Sequence, residues 1–76
     1  MLSKNLAFGK ALRLLRKSRK ITQRGLAVAS RLDPSYISLL ERGESSPTLI
    51  TMLALCRGMD ITLVEMASEI ERQIST

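Results

Sequence analysis

The 76-residue sequence contains no histidine, no tryptophan and a single cysteine, Cys56. A lone cysteine excludes an intrachain disulfide, and without histidine it lacks the usual partners of a metal site or a thiolate nucleophile. The sequence also lacks a GxxxxGK[ST] phosphate-binding loop and clustered carboxylates on a recognisable scaffold. We therefore expect a protein that is not an enzyme and needs no cofactor or metal, with Cys56 buried as an apolar residue.

Long hydrophobic runs are missing as well. The longest uncharged stretch, Ser45–Cys56, has twelve residues, against the roughly 18 to 20 needed to cross a bilayer. The N-terminus lacks the apolar core and small-residue cleavage site of a secretory signal. These absences predict a cytoplasmic protein without a membrane span.

Acidic residues are missing from the first part of the chain. Residues 1–31 hold nine lysines and arginines and no acid, whereas residues 32–76 hold three cations and seven acids. Such a split is typical of a protein that places one face against phosphate and keeps the other away from it. A basic helix that serves only solubility is the alternative interpretation of the charge alone.

Apolar residues recur at helical spacing in five segments, with no β-strand alternation, internal repeat or low-complexity tract. Thr22 and Thr48 are predicted N-caps, Asp33-Pro34 pairs a cap with proline at the first helical position, and Thr62 with Glu65 forms a capping box. The predicted helices cover residues 4–18, 23–30, 34 to about 43, 49 to about 59, and about 62–73. The sequence thus predicts an all-α, compact five-helix domain over residues 1–76.

The fourth predicted helix is apolar on more than one stripe, so we expect it at the centre of the core. Its apolar residues are Leu49, Met52, Leu53, Leu55, Cys56 and Met59. Gly25, inside the second helix, should cost up to about 1 kcal/mol relative to alanine, and the sequence offers no reason for it.

The second and third helices form a candidate helix-turn-helix unit over residues 22–43. A helix of about eight residues, a turn of about three and a second short helix suit a DNA-reading pair. A B-form major groove, about 12 Å wide, admits one α-helix, whose N-terminal residues then face base edges. Many all-α domains contain similar pairs, so geometry alone leaves DNA binding and plain packing as open alternatives.

Four short motifs follow one another in this region: Ile21-Thr-Gln-Arg-Gly-Leu-Ala27, Leu32-Asp-Pro-Ser-Tyr-Ile-Ser38, Leu40-Glu-Arg-Gly43 and Pro47-Thr-Leu49. Together they resemble the lambda-repressor-like, Xre-type (Cro-like) helix-turn-helix family, in the family's order and spacing. The resemblance spans roughly residues 8–66. It implies a transcriptional regulator that binds double-stranded DNA.

The resemblance assigns DNA-binding roles to individual residues. Gln23 matches the family glutamine that hydrogen-bonds phosphate and often braces the recognition helix, a solvent-exposed helix start being the alternative. Ser35, Tyr36 and Leu39 match positions that face the groove, and Arg42 matches a position that reaches phosphate or a base. For Tyr36, packing against the second helix is the alternative.

Three further positions bear on DNA contact. Ser38 matches a family serine for which a phosphate contact and a hydrogen bond back to its own helix are both open. Arg24, with Arg19 and Lys20, lies near the junction that faces the DNA backbone in the family arrangement, and is a predicted phosphate contact. Pro34 departs from the family, because many relatives carry a polar or basic residue there. Since proline cannot donate a hydrogen bond, we expect recognition to be partly apolar and partly by DNA shape.

The resemblance also implies an ion pair between Arg16 and Glu41 that joins the first helix to the end of the third. We expect this pair to be buried and to hold the structure together rather than to read DNA.

The fifth helix carries more apolar residues than one small core should need, which indicates a dimer face. The residues assigned to this face are Leu63, Met66, Ala67, Ile70 and Ile74. A twofold contact there would set two recognition helices on half-sites about 10 base pairs apart. A frayed tail with scattered apolar residues is the alternative.

The function predicted from the sequence is that of a homodimeric regulator on a near-palindromic operator, with contact to RNA polymerase or a cognate protein left open. Phage-type repressors, restriction-modification controllers and antitoxin-like regulators all fit this description. One alternative is a protein-interaction module that bridges a partner and polymerase, with incidental DNA binding. Another is a basic helix on an anionic membrane surface, which is disfavoured because Phe8, Leu12 and Leu15 are expected in the core.

Overall fold

The structure, a computed structural model, describes residues 3–75, so Met1, Leu2 and Thr76 of the predicted domain lie outside it. Within this range the chain forms five α-helices and no strand: α1 (Lys4–Ser18), α2 (Gln23–Ser30), α3 (Pro34–Glu41), α4 (Leu49–Met59) and α5 (Leu63–Ser75). The radius of gyration is 11.0 Å, close to the value of about 11 Å for a compact chain of this length. The predicted all-α, compact five-helix fold is confirmed.

Side-chain caps determine where the helices begin. Each of the first four helices follows a residue whose side chain accepts a hydrogen bond from a backbone N–H of the first turn: Ser3, Thr22, Asp33 and Thr48. At α5 the bonds are reciprocal, because the Thr62 N–H donates to Glu65 Oε1 at 3.0 Å and the Glu65 N–H donates to Thr62 Oγ1 at 3.1 Å. The predicted caps and the predicted capping box are confirmed.

The ends of the helices use left-handed residues. Gly43, just beyond α3, has φ of +73°, and a Cβ there would lie 2.6 Å from Leu6 Cδ2. Lys20, Arg31 and Asp60 also have positive φ, although this backbone region costs a residue with a side chain roughly 1–2 kcal/mol. Glycine is thus required after α3, whereas three other turns tolerate the strain.

The core is formed where α1 packs on α3 and α5 and where α2 packs on α3 and α4. Its largest fully buried apolar side chains are Leu12, Leu26, Ile37, Leu40, Leu55, Met59 and Met66. Cys56 is buried beside Met66, with the two sulfur atoms 3.7 Å apart. Burial, with a smaller contribution from the charge of Glu65, raises the pKa of the Cys56 thiol. The prediction of Cys56 as a buried apolar residue is confirmed.

Part of the predicted dimer face is wrong. Met66 is 0% exposed and lies in the core, and the half-buried Ile70 packs against that core. Met66 therefore cannot contact a second copy. Leu63, Ala67 and Ile74 do remain exposed.

The prediction that α4 lies at the centre of the core is correct for only one side of the helix. Leu55, Cys56 and Met59 are buried against the neighbouring helices, but Leu49 and Leu53 are exposed, and Ile50 is 81% exposed. Since α4 is apolar around most of its circumference, only the side that meets α2 and α5 can be covered. The other side leaves apolar surface open.

Close helix crossings place α1 against the end of α3. A Cβ at Gly9 would lie 2.6 Å from the carbonyl oxygens of both Leu40 and Glu41, so only glycine allows this approach. Gly25 lies in a less crowded place, where a Cβ would lie 3.1 Å from Ile21 Cγ2 and 3.2 Å from the capping Thr22 Oγ1. A side chain at this position would therefore press on the residue that caps α2.

Candidate nucleic-acid interface

The helices α2 and α3 form the helix-turn-helix pair, joined by residues 31–33. The turn is sharp because Arg31 adopts the left-handed conformation and the Leu32 N–H donates to the Ala27 carbonyl at 2.9 Å. Leu26 and Ala27 on α2 and Ile37 and Leu40 on α3 fill the space between the two helices and the core. The outer side of α3 is thereby fixed relative to α2.

The first turn of α3 is organised by Asp33. Its Oδ1 accepts hydrogen bonds from the Ser35 N–H at 2.8 Å and from the Ser35 hydroxyl at 2.6 Å. These two bonds lower the pKa of the Asp33 carboxyl, the hydroxyl bond being the stronger cause. Pro34 is exposed at the first helical position and has no N–H to offer. In this conformation Ser35 therefore presents its hydroxyl to a partner as an acceptor.

The apolar residues of the predicted reading surface are half-buried. Tyr36 packs against the core, and its hydroxyl lies 3.5 Å from Thr51 Oγ1 on α4. Leu39 is also half-buried. The ring of Tyr36 thus contributes to packing, although its hydroxyl lies beside α4, whereas the alternative interpretation expected packing against α2.

The end of α3 carries a small polar cluster formed by Ser38, Arg42 and Glu44. Arg42 Nε donates to Glu44 Oε2 at 2.8 Å, and Arg42 Nη1 donates to Ser38 Oγ. The hydrogen bond and the charge of Arg42 lower the pKa of the Glu44 carboxyl. Ser38 and Arg42, both predicted to contact DNA, are therefore hydrogen-bonded to each other in the free protein. The sequence analysis did not identify Glu44 as part of this surface. The one signal for it was an acidic residue two positions after Arg42.

A buried ion pair lies behind this surface. Arg16 Nε donates to Glu41 Oε2 at 2.6 Å and Nη2 donates to Oε1 at 3.1 Å, while Nη1 donates to the Ile21 carbonyl at 2.8 Å. The two side chains are only 10% and 3% exposed. Gln23 Nε2 also donates to Glu41 Oε1, at 2.9 Å. One carboxylate thus joins α1, the start of α2 and the end of α3.

The exposed cations fall on two different surfaces. Arg19, Lys20 and Arg24 are exposed around the α1–α2 junction and form none of the ion pairs found within residues 3–75. Lys10, Arg13 and Lys17 instead line a groove of about 260 Å³ together with Leu14 and Gln73. The first set borders the helix-turn-helix unit, and the second lies between α1 and α5.

Two other kinds of site are not found in the described part of the chain. None of its helices is both long and apolar enough to span a bilayer. No cluster of three or more cysteine, aspartate or glutamate side chains there could hold a metal ion.

Comparison with known proteins gives consistent results. The family described as Helix-turn-helix matches residues 12–66. Control protein C.MunI of a Mycoplasma species is 33% identical over 69 residues, which are 90% of this chain and 93% of that protein. The crystal structure of the restriction-modification controller C.AhdI from Aeromonas hydrophila superposes with a TM-score of 0.79 at 37% identity, covering 82% of this chain and 94% of that one. The clp gene regulator ClgR from Corynebacterium glutamicum superposes with a TM-score of 0.91 at 30% identity, covering 97% and 96%.

Proposed function

The chain belongs to the helix-turn-helix family of lambda-repressor-like, Xre type, and from that premise we propose that it binds a near-palindromic operator as a homodimer. Membership of the family makes it a DNA-binding transcriptional regulator and not an enzyme. The observation that carries the finer proposal is the solvent-accessible outer side of α3, bordered by cations of the α1–α2 junction that form no ion pair with the acids of residues 3–75.

The proposed contacts divide into base and phosphate contacts. Ser35, Tyr36 and Leu39 face base edges in the major groove, where an apolar side chain can contact a thymine methyl and a serine hydroxyl discriminates weakly. Because Pro34 donates nothing, DNA shape contributes the rest of the specificity. Arg42, with Ser38 beside it, reaches a phosphate or a base at the end of α3.

The phosphate contacts are proposed at the start of α2. Gln23 is held there by Glu41, and Arg24 is the exposed cation next to it. Each duplex phosphate contact adds about 0.9 to the slope of log K against log salt concentration. Arg24→Ala should therefore reduce the magnitude of that slope by about 0.9, the contribution of one phosphate contact. Fluorescence anisotropy over a salt series measures the slope. An unchanged slope would remove Arg24 from the interface.

The proposed dimer face differs from the one predicted on α5 from the sequence, because Met66 is buried. Exposed apolar side chains lie on both α4 and the start of α5, where Ile50 is 81% and Val64 is 74% exposed. Large apolar side chains in such numbers on a small protein commonly mark a protein–protein contact. We assign the twofold contact to Leu49, Ile50 and Leu53 of α4 with Leu63 and Val64 of α5, and leave Ala67 and Ile74 at its edge.

Among the regulator types that fit, we propose a controller of the restriction-modification kind. The support is that C.MunI and C.AhdI resemble this chain over more than nine-tenths of their own length. Such a protein acts on DNA in the cytoplasm and is controlled by its own concentration.

Selection of bound sequences from a random duplex pool tests the proposal. We expect a near-palindromic site, with half-sites about 10 base pairs apart and an affinity at least about 10³-fold above that for random duplex. Equal and salt-sensitive binding to all duplexes would contradict it and would favour a bridging module with incidental DNA binding.

A further inference from the structure

The buried carboxylate of Glu41 has more partners than its ion pair requires. Its Oε2 accepts from Arg16 Nε, and its Oε1 accepts both from Arg16 Nη2 and from Gln23 Nε2, the last at 2.9 Å. The Glu41 side chain is 3% exposed, so these donors replace nearly all of its hydration. Gln23 begins α2 and Glu41 ends α3, so the bond between them joins the two helices of the helix-turn-helix unit.

The bond to Glu41 fixes which end of the Gln23 amide faces inward. An ionised carboxylate only accepts hydrogen bonds, whereas an amide has an NH₂ group that donates and a carbonyl oxygen that accepts. The amide nitrogen must therefore face Glu41, because the reversed amide would set two acceptors against each other. The second hydrogen of that nitrogen is used by no hydrogen bond within residues 3–75.

A DNA phosphate is also only an acceptor, so it can be bound by this second hydrogen but not by the amide oxygen. We propose that Glu41 is a positioning residue, which turns the Gln23 amide so that its nitrogen donates to Glu41 and to a phosphate together. The inference rests on the proposed DNA binding and adds to it a role for a residue that does not touch DNA. The ion pair with Arg16 then holds Glu41 itself in place.

Glu41→Gln tests the orientation directly. A glutamine at this position can donate as well as accept, so the Gln23 amide is free to turn its oxygen toward the phosphate. We expect affinity for the selected operator to fall about tenfold, as for loss of one hydrogen bond to a charged group. Simple electrostatics predicts instead that the affinity rises, because the substitution removes a negative charge. Glu71→Gln, the same charge change on the exposed side of α5, is the control and should not lower the affinity.

A double-mutant cycle separates positioning from loss of stability. In a Gln23→Ala background, Glu41→Gln should change operator affinity less than about twofold, since the amide that Glu41 orients is gone. Glu71→Gln is the matched control, because it removes the same charge from the exposed side of α5. Its effect should be the same with and without Gln23. All affinities are measured at a temperature at which circular dichroism shows every variant folded.

A measurement without DNA completes the test. The side-chain amide resonances of Gln23 in ¹H–¹⁵N spectra should shift between the wild type and Glu41→Gln. Resonances that stay in place would overturn the proposal, and so would additive losses in the cycle on an operator that the wild type binds well. A wild type without any operator preference would overturn the proposed function and this inference with it.

If Glu41→Gln does not fold, Gln23→Glu provides a second test. It sets a carboxylate against both Glu41 and the phosphate, so it should lower operator affinity more than Gln23→Ala does. An equal loss from the two substitutions would show that no phosphate approaches this side chain and would overturn the proposal.

Discussion

At the scale of single residues, three carboxylates organise the proposed DNA-binding surface. Glu41 orients the side chains behind the surface, Asp33 starts the recognition helix, and Glu44 binds the arginine at its end. Sequence motifs identified Glu41 and Asp33, because capping and ion-pair positions recur at fixed places. The resemblance predicted that Gln23 braces α3, but not that it does so through Glu41. The bond from Arg42 to Glu44 was not predicted, since it depends on how α3 ends.

Removal of the Glu41 carboxylate should cost much of the stability. Glu41→Ala leaves Arg16 buried with only the Ile21 carbonyl as acceptor, and breaking a buried pair in this way costs about 3–5 kcal/mol. Urea denaturation followed by circular dichroism measures the loss. Glu71→Ala, on the exposed side of α5, should change stability by less than about 0.5 kcal/mol. A loss below about 1 kcal/mol at Glu41 would show that the pair contributes no more than a surface pair.

Glu44 should limit DNA affinity. Its carboxylate accepts from Arg42 in the free protein, so a phosphate has to displace it, and the displaced charge then lies near the DNA backbone. Glu44→Gln should raise affinity for duplex DNA several-fold, on the order of one exposed ion pair, and anisotropy titration measures the change. The gain should exceed that of Glu71→Gln. Equal gains from the two variants would mean that only net charge matters.

At the scale of helices, the sequence predicted where the helices begin, but it did not predict which side of each helix is buried. Caps at Thr22, Asp33 and Thr62 set the starts of helices through bonds within four residues, so the sequence suffices to find them. The inward side of α4 was not predictable, because a helix that is apolar around most of its circumference carries no mark of which side its neighbours cover. Met66 was misplaced for another reason: α5 has a clear apolar side, but the sequence does not show whether that side meets the core or a second copy.

The end of α4 should be improvable by one substitution. Asp60 is exposed with φ of +55°, and its negative charge lies at the C-terminal end of the helix, where the helix dipole disfavours an anion. Asp60→Gly removes both penalties and should stabilise the protein by about 1 kcal/mol. Thermal denaturation measures the gain. Arg31→Gly, at the equivalent position of α2, should gain less, because a cation suits a helix C-terminus. A gain at Arg31 as large as at Asp60 would exclude the dipole as a cause.

At the scale of the whole molecule, the two signs of charge are separated along the chain. Residues 1–31 carry no acid and supply the cations around the helix-turn-helix unit, whereas the exposed apolar side chains of α4 and α5 lie in the second half. The sequence predicted the split of charge from composition alone, but it did not predict the exposed apolar side of α4. It did not predict that Lys10, Arg13 and Lys17 line a groove beside α5, since that requires the packing of α5 on α1.

The dimer face can be tested with a pair of equally exposed valines. Val64 is 74% and Val28 is 75% exposed, but only Val64 lies on the proposed face. Val64→Glu should weaken self-association at least about tenfold, because it buries a charge in an apolar contact, and Val28→Glu should not. Sedimentation velocity over a concentration series measures both. A wild type that stays monomeric at tens of micromolar would contradict the homodimer, and a Val64→Glu variant that associates like wild type would place the contact elsewhere.

Tyr36 also has a spectroscopic consequence. It is the chain's single tyrosine, and the chain has no tryptophan, so ultraviolet emission from this protein originates almost wholly in the recognition helix. The ring is half-buried, with its hydroxyl 3.5 Å from Thr51, so its emission should respond to a base or phosphate placed beside α3. The native protein thus carries its own fluorophore where binding is proposed, and operator titrations can be followed without a dye or an added residue.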